Sequence, residues 1–90
     1  MIGYFLITTN GGYMIITSDN NTFYMNNLSD KETLFDDLQT GDKIIITYTS
    51  IEDSYPARTG AYSCWKLKSG SIEDIPEDAI KKLKGLGIIE

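Results

Sequence analysis

Catalysis needs titratable or nucleophilic side chains held at working distance, and this chain carries a short set of them. Histidine is absent, which removes the commonest general base and metal ligand together with every Ser-His or Cys-His nucleophile pair. A single cysteine, Cys64, can form neither an internal disulfide nor a structural zinc site. No neighbour depresses its pKa, so it reads as a small apolar filler. The carboxylates come as adjacent pairs: Asp36/Asp37, Glu52/Asp53, Glu73/Asp74 and Glu77/Asp78. Neighbours in a strand point to opposite faces, whereas glycoside hydrolysis needs two carboxyls aimed at one cleft. Asp19-Asn20-Asn21 lacks the calcium-loop pattern, and Asn10-Gly11-Gly12 is a hairpin turn rather than a phosphate cradle. These residues predict no enzyme, no metal and no cofactor.

What remains is a group of residue types that carry binding energy. Tyr55, Arg58, Tyr62 and Trp65 fall within eleven residues, and Tyr, Trp and Arg supply large rigid area and planar donors at interfaces. They are the candidate binding residues. Strand alternation, with Lys66 and Lys68 in water, turns Trp65 and Leu67 inward and Tyr62 and Cys64 outward, unless a bulge near Gly60 resets the register.

The elements that must position them are mostly strands. Residues 2–9 and 12–18 are apolar on both faces and joined by Asn10-Gly11-Gly12, whose turn is expected to place both central residues at positive φ. Two-sided apolar strands fit a sheet that curls on itself or meets a helix or a partner. Residues 22–26 form a third strand with Phe23 and Met25 on one face. Ser29-Asp30-Lys31-Glu32 has the form of a capping box, and Leu34, Phe35 and Leu38 make one stripe on the helix that it predicts. Gly41 ends that helix in the left-handed conformation. Residues 43–51 give the fourth strand, with Ile44, Ile46 and Tyr48 opposite Ile45, Thr47 and Thr49, and residues 60–68 the fifth. Pro76, Glu77 and Asp78 start a last helix that docks Ile80 and Leu83, with Gly85 as its cap.

This order predicts a mainly β fold: a small five-stranded OB-like (oligonucleotide/oligosaccharide-binding) barrel, with a helix between strands 3 and 4 and a C-terminal helix. An open antiparallel sheet under two helices is the alternative. Ninety residues make one domain, 1–90, resting on one compact core.

The stretch Leu38-x-x-Gly41-Asp42-Lys43-Ile44, followed by Ser54-Tyr55-Pro56-Ala57 and then Ala61, resembles a family of small Gram-positive barrel domains of unknown function, the DUF3221 type. The match spans about residues 38–67. Members often hang from a lipoprotein or secreted chain, but here no lipobox cysteine stands at the start, and Arg58-Thr59-Gly60 departs from the pattern. The resemblance implies a barrel and no assigned chemistry.

Charge narrows the partner. The net charge is −5, and Asp19, Asp30, Glu32, Asp36, Asp37 and Asp42 face only Lys31 in the first 42 residues. Such a field repels phosphate backbones, so nucleic acid is disfavoured. Lys81, Lys82 and Lys84 complement the end of a helix dipole. No segment has the make-up of a signal peptide or a membrane span, and one cysteine suits a reducing compartment, so the expected location is cytoplasmic. The expected function is a non-catalytic protein-interaction module, such as a small acidic inhibitor or adaptor from a low-GC bacterium or its phage, binding another protein or itself as a homodimer. Two alternatives stand beside it. One is single-stranded nucleic-acid binding, with Tyr4, Phe5, Tyr13, Phe23 and Tyr24 for stacking; the other is a homo-oligomeric small-ligand-binding protein.

Overall fold

The computed structural model describes residues 1–54 and 57–90. Its strands are β1 (Ile2–Ile7), β2 (Tyr13–Ile16), β3 (Thr22–Asn27), β4 (Lys43–Tyr48) and β5 (Ala57–Lys68), followed by one 3-10 turn (Ile72–Asp74) and the helix α1 (Glu77–Gly85). They close into a barrel in the order β1-β2-β3-β5-β4. β3 and β5 pair in parallel and every other pair is antiparallel. Closure leaves these Ile-rich strands no free edge to template aggregation.

Long β5 makes the closure. Its first residues, Ala57 to Ala61, pair with β3, and Ala61 onward pairs with β4. A strand that changes partners has to bend, and the β4–β5 register slips at two places, leaving Tyr62 and Leu67 as the extra residues. Each is a bulge of the kind that turns barrel corners.

Apolar residues on both faces of the strands fill two separate cores. Inside the barrel, Phe5, Ile15, Met25, Ile44, Ile46 and Ala61 are buried together. Outside it, Leu6 of β1 and Met14 and Ile16 of β2 pack under Ala79 and Leu83 of α1, with Ile75 and Ile89 at the margins. The amide of Thr9 donates to the carbonyl of Ile88 (3.0 Å), tying the segment after α1 to the β1–β2 hairpin. That segment is folded onto the sheet, and Gly87 rather than Gly85 takes the left-handed conformation after the helix (φ 75°). Pro76 stands at the N-cap, one residue before the helix proper.

The helix expected between strands 3 and 4 is replaced by turns. Ser29 does not cap a helix: its hydroxyl donates to Asn27 Oδ1 (2.6 Å), and the Asn27 amide donates to the carbonyl of Lys31 (2.7 Å). Short polar side chains here satisfy the backbone locally, in competition with a helix too short to nucleate on its own. The apolar stripe still does its work, because Phe35 and Leu38 are buried in the barrel interior beside Phe5 and Tyr13. The first hairpin differs too. Only Gly11 has positive φ (86°), and the loop closes through Thr8, whose amide donates to the carbonyl of Gly12 (2.9 Å) and whose Oγ1 accepts the Gly12 amide (2.8 Å).

Candidate functional site

The bulge at Tyr62 reverses the expected phase of β5. Ala61 and Cys64 both face the barrel interior, three positions apart, which strict alternation forbids and one inserted residue permits. Trp65 is therefore turned outward and is 61% exposed, correcting its expected place in the core. Leu67, also expected inside, is the second bulge residue and is 51% exposed.

Trp65 is one member of a row. It pairs with Ile45 across β4–β5, and Ile45 pairs with Ile2 across β1–β4. Partners in register share a face and stand about 4.8 Å apart from strand to strand, so Ile2, Ile45 and Trp65 form a continuous apolar band over three strands. Ile2 is 50% exposed, although this band lies on well-formed sheet. On one side runs the row Tyr4, Lys43 and Lys68. On the other, the hydroxyls of Thr47 and Ser63 are hydrogen-bonded at 2.6 Å. None of the residues in these three rows is acidic, in a protein with thirteen Asp and Glu.

Beneath the lysine end of this face lies a structural lock. Gly41 has φ 99°, and a Cβ there would stand 1.9 Å from the carbonyl oxygen of Ser71, so only glycine fits. The next residue, Asp42, is 2% exposed. Its carboxylate accepts the amides of Gln39 (2.9 Å) and Gly70 (3.0 Å), with Lys66 Nζ at 4.0 Å. Burial pushes this carboxyl's pKa up, but the two amides and Lys66 outweigh it and hold the group below its ordinary value. Asp42 thus fastens the end of β5 to the turn that precedes β4.

Of the four residues singled out from the sequence, the three described ones do not gather at one place. Tyr55 lies outside the described residues. Tyr62 and Trp65 are both exposed on β5, about 10 Å apart along the strand. Arg58 sits seven residues before Trp65, about 23 Å away along an extended strand, where β5 pairs with β3. Its guanidinium stands 5.9 Å from the centre of the Tyr24 ring. Cys64 is turned inward and half-buried, and desolvation raises its pKa to about 11, which keeps the thiol protonated and unreactive.

Sequence reasoning missed Ile2, Ile45, Lys43 and Lys68 as surface partners of Trp65. The signal was present for Ile45, which alternation places on the face of Thr47 and away from Ile44 and Ile46. Its pairing to Ile2 and Trp65 depends on register, which no local pattern encodes.

Comparison with known proteins adds no relative: no family model, no curated protein and no solved structure matches the chain. Among the described residues, no group of three His, Cys, Asp or Glu side chains is placed to hold a metal ion. No helix among them is long and apolar enough to cross a membrane.

Proposed function

We propose that this chain is a non-catalytic protein-interaction module built on an OB-like barrel, a small inhibitor or adaptor whose contact surface is the outer face of β1, β4 and β5. One observation carries the reading: an exposed tryptophan stands in register with two isoleucines on rigid strands, with lysines along one side. Exposed apolar bands of this kind mark contact surfaces, and Trp is the residue type most enriched among interface anchors. The lysine flank favours a partner with carboxylates beside an apolar groove. The strand order β1-β2-β3-β5-β4 and the parallel β3–β5 pair support the OB-like assignment. The resemblance to the DUF3221 type fits the same barrel, since Gly41 and Asp42, two of the residues that carry it, do structural work here.

The test compares captures by the wild-type chain and Trp65→Ala from a low-GC bacterial lysate, identified by mass spectrometry, with sedimentation of the chain alone. A partner bound by wild type and lost in the variant supports the reading, as does a concentration-dependent dimer that Trp65→Ala dissolves. Identical captures with a strictly monomeric chain refute it.

A second reading, single-stranded nucleic-acid binding, is favoured by Lys43 and Lys68 standing in the row beside Trp65 on β4 and β5. A stacking platform flanked by cations is the usual arrangement for such strands. Against it, the outer face of β2 and β3, where OB barrels take oligonucleotides, is covered by α1 through Met14, Ile16 and Tyr24. Trp65 is the sole tryptophan, so its fluorescence reports directly. Quenching by oligo-dT at low salt supports this reading, and no change removes it.

A further inference from the structure

Toward the opposite end of β5 from Trp65, a cleft of about 410 Å³ lies between the β1–β2 hairpin and the start of β5. It is lined by Asn10, Tyr13, Tyr24, Asn26 and Arg58, together with Gly12 and Met25. We infer that this cleft receives a single carboxylate, carried by a peptide or a small molecule, with Arg58 as its anchor. The inference is independent of the Trp65 face.

Charge is the first ground. Arg58 is the only arginine of the chain, it is exposed, and no carboxylate pairs with it among the described residues. A chain with thirteen acids lines this cleft with none of them. The Tyr24 ring attracts the guanidinium charge but occupies none of its five N–H donors. Those donors match a carboxylate in a two-pronged geometry.

Donor direction is the second ground. Thr8 Oγ1 accepts the Gly12 amide (2.8 Å) and gives its own hydrogen to Asn10 Oδ1 (2.6 Å). Asn10 is thereby oriented with its carbonyl engaged and its NH2 group unengaged. The exposed Asn26 side chain has no hydrogen-bond partner among the described residues. A rim of two amides and one guanidinium is rich in donors and carries one positive charge. That suits one oxyanion and not a phosphate chain, which needs several cations.

Glu52 supplies a built-in competitor. It is bridged to Arg58 by two backbone hydrogen bonds (2.8 and 3.1 Å), which places both side chains on one rung of a ladder with Cβ atoms about 5 Å apart. Its carboxylate makes no ion pair with Arg58, yet it is the acid paired directly opposite Arg58 and could take a ligand's place.

The experiment is a titration of the ¹⁵N-labelled full chain, followed by amide shifts, with acetyl-Ala-Glu-Ala-amide, its Gln analogue, acetyl-Ala-Ala-Ala with a free carboxylate, glutarate and inorganic phosphate. The expected result is a saturable shift at Asn10 to Gly12, Tyr24, Asn26 and Arg58 with a Kd of about 1 mM, seen with a carboxylate ligand and absent with the Gln analogue. Tightest binding by the Glu peptide, the free C-terminus or glutarate identifies a peptide side chain, a chain end or a small acid as the source. Arg58→Gln should abolish the shifts, Arg58→Lys should weaken them several-fold, and Glu52→Gln should strengthen them. Phosphate binding as tightly as the carboxylates would overturn the assignment. So would the absence of any carboxylate-dependent shift at about 10 mM, ten times the expected Kd, or Glu52→Gln leaving the affinity unchanged.

Discussion

Two outer faces of the same barrel are apolar, and only one is covered. On the β1–β2 side, Leu6, Met14 and Ile16 lie fully buried under α1. On the β1–β4–β5 side, Ile2, Ile45 and Trp65 stand in an equally regular row, with Ile2 and Trp65 exposed and Ile45 half-buried between them. β1 belongs to both faces: Leu6 is covered and Ile2, four residues earlier, is bare. Two-sided apolar strands are thus explained twice over by the interior and the helix, and the bare row is the remainder that neither explains. The covered face is purely apolar at its centre, whereas the bare one is edged by Lys43 and Lys68. A permanent core needs no charges at its margin, and a surface that meets a partner gains specificity from them.

The largest effect should come from unseating the cover. Leu83→Ala removes a fully buried side chain from beneath α1 and should cost about 2–5 kcal/mol in urea unfolding. Ala79→Glu, placing a charge in the same seam, should expose the second face and raise dye binding to apolar surface. If dye binding stays at the wild-type level, the two faces do not differ as described.

Asp42→Asn should cost about 1–3 kcal/mol at pH 7, because an amide offers one acceptor and turns a donor toward the second N–H. The native carboxyl lies below its ordinary value of 3.8. Its stabilisation is therefore complete above the unfolded pKa and is lost as pH falls through about 4 toward the folded value. The variant should show a flatter acid limb of stability against pH, and equal limbs would contradict the lock.

Trp65→Ala should change stability by less than about 1 kcal/mol, since the ring is mostly in water. A loss comparable to that of Leu83→Ala would show that the bare face is part of the core after all. The smallest effect concerns the neighbour of Trp65. Cys64, with its pKa raised to about 11, should react with a disulfide reagent at pH 8 far more slowly in the folded chain than in urea. Equal rates would mean that β5 has the opposite phase.

Much of this molecule is legible in the order of its residues. Alternation separates Phe5 from Leu6, Ile15 from Met14 and Ile16, and Ile44 and Ile46 from Ile45, and it sets Phe23 with Met25, because side-chain direction in a strand follows from position alone; which set lies inside is decided by closure of the barrel. The left-handed conformation of Gly41 and the docking of Ile80 and Leu83 are also local signals, although Gly41 follows turns and not the expected helix. Tertiary structure decided the rest. Whether Trp65 or Cys64 enters the core depends on a bulge at Tyr62, and that bulge exists because β5 must leave β3 and join β4 within one strand. Whether residues 29–38 make a helix depended on Asn27 and Ser29 finding local partners while Phe35 and Leu38 reached the barrel interior. And which apolar face stays bare was settled by where α1 came to rest, since a single short helix can shield only one side of a closed sheet.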